Sequence, residues 1–511
     1  MVLKVAYTLA TYVLPTTYYW HVAIALATLV VIYAFAQGRT TDRERDLHAR
    51  TILVTGAFTP VGLTLVANLA KRGAHIIALS PYPLSHPLPA LLIPALREAS
   101  KNEKIFAEHA DLSSPASIRE FCTRFLTGDD QRLDGIVFGH EYAGVGSVFA
   151  SKASHDEKRE AASVATFLMV TLLLPTLLVA PVERDIRIVN LVNPFYAAAV
   201  PSFSSDLVAS FNSSFAAPRK RPLLQREGHR ALRTIIFTRH LQRILNALPN
   251  RAPTFDANLP GEKLEPAKPA NSKEEAPTLP KYPSNIVAVS VAPGMSRTET
   301  IRAALGADKE IDIDGWSRRG LAVYILFFPV IWLLAKAPSM AIQSIIHALF
   351  LPAPFKQALA QVDAATAGET PPGTDGSKTD AIPARPKPRK AVFTEVLKPG
   401  ALYRECSVVT LKLPPLPEDP TATDQEKPAE EADKAKGKKG KGKAKTKPAE
   451  SPAQDEFVPI EDDGEYGGES MGRVVWEWFE IRLKDWEARE KAEEEATGAG
   501  QPGQDSKEKA E

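Results

Sequence analysis

Thr51 to Leu79 reads TILVTGAFTPVGLTLVANLAKRGAHIIAL, and the fold follows from this stretch. Ile52, Leu53 and Val54 form a wholly apolar run with a β-branched bias, which suits a strand buried on both faces of a parallel sheet. The run stops at Gly56. After a turn, Leu63, Val66, Ala67 and Ala70 recur at helical spacing, Gly73 closes the helix, and Ile76 to Leu79 supply a second buried strand. Strand, tight turn, helix and strand make a βαβ unit. Gly56 and Gly62 in its turn are where backbone can approach a pyrophosphate at a helix N-terminus, and they serve a purely structural turn equally well.

Thr55-Gly56-x-x-x-Pro60-Val61-Gly62 resembles the Thr-Gly-x-x-x-Gly-x-Gly turn of the short-chain dehydrogenase/reductase family. The resemblance implies a Rossmann fold, NAD or NADP as cofactor, and Thr55, Gly56 and Gly62 as residues that hold it. Pro60 replaces the middle glycine. A proline at the first helical position suits the helix, but it removes an N–H from the phosphate cradle and adds bulk there. Ala110-Asp111-Leu112, followed by Ser117 to Phe121, resembles the Asp-Leu pair and next helix of the retinol-dehydrogenase-like branch, which implies that Asp111 meets the adenine. Without a cofactor, Asp111 reads as the N-terminal punctuation of a helix.

Leu133 to Val137 is the fourth strand, after which Phe138-Gly139-His140-Glu141 stands where the family continues Asn-Asn-Ala-Gly. Thr166 to Pro175 resembles the fifth helix and is too short for a second membrane span. Asn285 to Val291 is the sixth strand. Ala292-Pro293-Gly294-Met295-Ser296-Arg297-Thr298-Glu299 then resembles the family's Pro-Gly-x-x-x-Thr-Glu, which implies that Pro293, Gly294 and Thr298 meet the nicotinamide amide. The same turn is also an ordinary strand terminator. Gly400 to Cys406 resembles the terminal strand of the branch, and Ser80-Pro81 after the second strand leaves the choice between NAD and NADP open.

The chemical positions depart from this pattern. Arg187 to Asn193 occupies the place of the strand that ends in the catalytic serine, and Val192 and Asn193 stand at the serine positions. Phe237-Thr238-Arg239 and Leu241 resemble the branch's Phe-Thr-Arg-x-Leu, and counting back along that helix puts Glu227 and Ala231 at the family's Tyr-x-x-x-Lys. That spacing has a reason: residues four apart share a helix face, so the lysine lowers the pKa of a tyrosine serving as acid or base. A shift of two residues offers His229 and Arg233 instead but breaks the match at Phe237. Ala162 lies nearest the tetrad's helix-kink asparagine. Two function classes follow: a pseudoenzyme that senses a nucleotide or scaffolds partners, and an active NAD(P)-dependent oxidoreductase of lipid-like alcohols or carbonyls.

After Pro15 the chain runs from Trp20 to Ala36 without a formal charge, long enough for a transmembrane helix, with Tyr18, Tyr19 and Trp20 at an interfacial belt. A clear signal-peptide cleavage site is lacking. Lys4 precedes the run, whereas Arg39, Arg43, Arg45 and Arg50 follow it, so the positive-inside rule puts the large domain in the cytosol. Val2 to Val13 could instead pair with the run as a hairpin in one leaflet. An endoplasmic-reticulum or lipid-droplet membrane is the expected location. The apolar Phe327 to Leu334 segment resembles the region beside the substrate entrance of the branch; it either packs on the sheet or dips into the membrane surface.

A net charge of +1 over 511 residues gives no electrostatic footprint of a nucleic-acid protein, and the 42 prolines point to long unstructured segments. Cys122 and Cys406 cannot form a disulfide framework; no metal-ligand spacing occurs, so no metal is expected. The lysine-rich run from Lys434 to Lys447 reads as a solvated linker or as a binder of anionic lipid or nucleic acid. From Met471 to Ala492, Val475, Trp478, Phe479, Arg482 and Trp486 share one helix face, which either docks on the sheet domain or binds a partner protein. The expected architecture is α/β: a membrane anchor (1–38) and a Rossmann-type doubly wound parallel sheet of seven strands (50–410) with disordered insertions at 251–284 and 363–390. A low-complexity linker (411–468) and an amphipathic helix (469–495) follow.

Overall fold

The computed structural model describes residues 19–128, 132–149, 153–181, 183–211, 221–248, 284–307, 317–357, 395–416, 460 and 462–498. The insertion at 363–390, that at 251–284 apart from Ser284, and most of the linker lie outside the described residues.

One eight-stranded sheet has the order β3-β2-β1-β4-β5-β6-β7-β8. Its strands are β1 (Thr51–Thr55), β2 (His75–Ser80), β3 (Ile105–His109), β4 (Gly135–Phe138), β5 (Ile186–Leu191), β6 (Ile286–Ala292), β7 (Leu402–Arg404) and β8 (Ser407–Val409). The first seven pair in parallel, and Val54 stands opposite both Ala78 of β2 and Val137 of β4. Strand order reverses about β1, so the turn after Thr55 opens at the topological switch point. The eighth strand corrects the seven-strand expectation. Glu405 and Cys406 both take positive φ, 51° and 58°, and this two-residue turn folds β8 back antiparallel on β7.

Apolar cores cover both sheet faces. The Pro60–Lys71 and Pro338–Phe350 helices bury Leu65, Val66, Leu69, Ile342 and Ile345 on one face. On the other, the Ala153–Val179 helix buries Val164, Phe167, Leu168, Val170 and Leu173. This helix is far longer than the Thr166 to Pro175 stretch that its apolar residues suggest, because its polar first turns are held by ion pairs such as Arg159 with Asp156. It is long and apolar enough to cross a bilayer, but over half of its apolar window is buried against the protein.

Helix Gly468–Gly498 lies across the Leu223–Ala247 and Ala153–Val179 helices, with Val475, Trp478, Phe479, Arg482 and Trp486 all buried. Trp478 sits between two guanidiniums, Arg233 at 4.0 Å and Arg482 at 5.5 Å from its ring centroid. Phe479 stacks on Phe167 with centroids 5.3 Å apart. The apolar face that a partner could have bound is therefore covered by this chain's own helices. Helix Tyr19–Gln37 has the opposite character: Trp20 and Phe35 project outward, 73% and 83% exposed. It meets the domain at Phe328–Leu334, where Tyr33 stacks on Trp332 at 5.0 Å and Gln37 bonds the backbone of Ala335 and Ala337.

Candidate functional site

The turn after β1 is shaped by the chain's own backbone. Gly56 has φ +65°, and a Cβ there would lie 2.9 Å from the carbonyl carbon of Gly139 and from the amide of His140. A Cβ on Gly62 would fall 2.1 Å from the Gly56 carbonyl oxygen. Both glycines are thus required by close approach of neighbouring main chain. Thr55 ties the same two loops together: its Oγ1 accepts from the Gly139 N–H at 3.0 Å and lies 2.8 Å from His140 Nδ1. Burial pushes the His140 pKa down.

The start of the Pro60–Lys71 helix satisfies its own donors. Thr59 N–H donates to Gly56 O at 3.2 Å, Pro60 has none, and Gly62 N–H donates to the Thr59 hydroxyl at 3.1 Å. Leu63 N–H donates to Thr59 O at 2.7 Å. The remaining donor, Val61 N–H, is 2.6 Å from Oε1 of Glu299, a fully buried carboxylate that arrives from the loop after β6. Thr55, Gly56, Thr59, Gly62, Val137 and Tyr142 line a cavity of about 10 Å³ beside this turn, room for about one water.

The loop after β6 is braced from several sides. Lys336 Nζ donates to Pro293 O at 3.1 Å and pairs with Glu405. Gly294 has φ +98°, and its carbonyl accepts from the Tyr142 hydroxyl at 2.9 Å. Thr298 Oγ1 lies 3.0 Å from the Ser296 hydroxyl. Asp111 is not the helix punctuation expected of it. It accepts from Ser113 N–H at 2.8 Å, and Ser114, placed just before Pro115, caps the Pro115–Thr127 helix instead.

Glu227 lies in a buried ion cluster. Its carboxylate is 3.1 Å from Arg159 Nε and 2.6 Å from Arg230, and it accepts from Gly146 N–H at 3.2 Å. Asn193 donates to the Glu227 carbonyl at 3.0 Å, which brings the serine position against the tyrosine position. Ala231 is packed in the core. His229 and Arg233 each meet a carboxylate: His229 Nε2 is 2.7 Å from Asp206, and Arg233 is 2.5 Å from Glu160. Burial first, then Arg233, lowers the His229 pKa to about 4.

Sequence reasoning did not single out Arg159, Arg230, Tyr142, Lys336 or the role of Glu299. Arg230 was accessible in principle, since it stands three residues after Glu227 on one helix face. Arg159 reaches Glu227, and Glu299 reaches Val61, only through the tertiary fold.

No protein-family model matches the chain. An uncharacterized oxidoreductase of Schizosaccharomyces pombe is 28% identical over 343 residues, 65% of this chain and 78% of that protein. Another, from Saccharomyces cerevisiae, is 25% identical over 339 residues, 64% of this chain and 74% of its own. Dehydrogenase/reductase SDR family member 13 of Homo sapiens is 29% identical over 151 residues, 30% of this chain and 38% of that protein. The chain is thus similar to short-chain dehydrogenases/reductases. It departs from that family's pattern at the nucleotide turn, where no N–H from Thr59 to Leu63 is left for a pyrophosphate. These residues, as arranged, do not fit the dinucleotide that the fold implies.

Proposed function

We propose that this chain is a membrane-anchored pseudoenzyme, a Rossmann-fold scaffold that does not carry out its family's hydride transfer. The observation that carries the reading is the state of Glu227. A general acid or base must exchange a proton with substrate, whereas this carboxylate faces two buried arginines and a backbone N–H. Freeing it would break its pairs with Arg230 and Arg159, at a cost of about 3–5 kcal/mol for breaking such a buried pair.

Membrane attachment rests on the charge-free Tyr19–Gln37 helix, whose 19 residues span about 28 Å at ~1.5 Å each, close to a hydrocarbon core. In the segment that packs on this helix, Leu326, Phe327, Phe328, Val330, Trp332 and Leu334 are exposed. Arg39, Arg43 and Arg45 follow the helix and favour the cytosolic side for the sheet domain.

The test is NAD(P)H consumption by full-length protein in nanodiscs with retinoid, steroid and fatty aldehyde substrates. No turnover above the protein-free rate is expected, for wild type and Glu227→Ala alike. Turnover by wild type would replace this reading with an oxidoreductase of lipid-like carbonyls, for which the apolar surface at residues 325–334 would serve as the entrance.

A further inference from the structure

We propose that Glu299 is a built-in anion that takes the pyrophosphate's place on the β1 turn and so holds this chain closed to NAD and NADP. The first turn of a helix presents unpaired N–H groups and a partial positive charge, and it attracts an anion. Here the anion is covalently part of the protein. Glu299 Oε1 takes the Val61 N–H at 2.6 Å, a length typical of a charge-assisted bond, and the residue is completely buried. With Pro60 lacking a donor and Thr59 engaging the amides of Gly62 and Leu63, the carboxylate completes the turn.

The position of Glu299 is enforced by its loop. The Gly294 carbonyl is held by Tyr142, the Pro293 carbonyl by Lys336, and the backbone of Ser296 bridges to Lys336. The Thr300 hydroxyl donates to Ser296 O at 2.9 Å, and Ala303 N–H donates to the Glu299 carbonyl at 2.8 Å. These bonds fix the chain on both sides of the glutamate. Burial, and after it the Glu299 charge, raises the pKa of the neighbouring Tyr142 hydroxyl, as a carboxylate at this place requires. A nucleotide could enter only by displacing a buried charged group from a donor that it already satisfies.

The inference concerns binding, whereas the pseudoenzyme reading concerns turnover, and the two fail separately. Full-length wild type, Glu299→Ala and Glu299→Gln in nanodiscs are titrated calorimetrically with NADH and NADPH. Their thermal midpoints are read with and without inorganic pyrophosphate. Wild type is expected to show no saturable binding up to roughly 1 mM and no pyrophosphate shift. Glu299→Ala is expected to gain at least about tenfold in affinity for one of the nucleotides, and to melt lower unless pyrophosphate is present. If Glu299→Ala fails to fold by circular dichroism, Glu299→Gln reads the same gain, since it removes the charge and keeps the shape. Wild-type binding as tight as the variants', or variants that gain neither nucleotide nor pyrophosphate, overturns the proposal. Wild-type binding without turnover would leave the pseudoenzyme reading intact.

Discussion

The N–H of Val61 and the carboxylate of Glu299 meet at 2.6 Å across 238 positions of sequence, joining the first crossover helix to the loop after the sixth strand. This bond closes the strand ends at the switch point from within the chain. It also means that the glycines of the turn have structural duties that exist without a ligand.

Gly56→Ala should therefore destabilise the protein whether or not nucleotide is present. The substitution combines φ +65° with a Cβ 2.9 Å from Gly139 and His140 backbone, and strain of this kind costs about 1–3 kcal/mol. A lowered thermal midpoint in nanodiscs, unchanged by added NADH, is the expected result. Recovery of the wild-type midpoint with NADH would show that a ligand shapes the turn.

Glu227→Ala should be among the most damaging substitutions on the Leu223–Ala247 helix. It leaves buried Arg230 without its carboxylate and buried Arg159 with Asp156 in place of two carboxylates, a loss of about 3–5 kcal/mol. Denaturant unfolding followed by circular dichroism checks the size. A loss under about 1 kcal/mol would place Glu227 in a surface-like environment.

Acidification should loosen the C-terminal helix. His240 lies against Trp476, with ring centroids 5.9 Å apart, and under Gly472; burial, then Arg243, lowers its pKa to about 4. Between about 6.5 and about 4 the unfolded or undocked state binds a proton that the folded state does not, so stability rises with pH through this window and falls on acidification. Tryptophan fluorescence against pH should show a steeper decline for wild type than for His240→Gln. Equal slopes would exclude His240 as a contributor.

Trp478→Ala should release the same helix at neutral pH. The indole is 1% exposed between Arg233 and Arg482, and removing a buried aromatic side chain of this size costs about 3–5 kcal/mol. Limited proteolysis should cut within residues 462–498 in the variant and spare wild type.

The surface at residues 325–334 should touch lipid. Leu326→Cys, labelled with an environment-sensitive fluorophore, should emit at shorter wavelength in nanodiscs than an equivalent label at Leu88, which is exposed far along the chain at 39%. Full-length protein should stay in the membrane fraction after carbonate extraction. A label at Leu326 that reports water would confine attachment to the Tyr19–Gln37 helix.

Sequence alone determined a parallel sheet and its central strands, because strands buried on both faces must be continuous apolar runs such as Ile52 to Val54 and Ile286 to Ala292. It determined the C-terminal helix for a related reason: Val475, Trp478, Phe479, Arg482 and Trp486 share a face only at helical period, and that face is buried. Counting back from Phe237 put Glu227 and Ala231 at the positions of the resembled family's tyrosine and lysine. What only the tertiary structure decided are the partners. β8 depends on two left-handed residues, Glu405 and Cys406, that carry no glycine signal. Glu227 reads as a base until Arg159, distant in sequence, arrives beside it. Glu299 reads as the end of a loop motif until the fold sets its carboxylate on the amide of Val61, since electrostatic contacts act through space and leave no period in the chain.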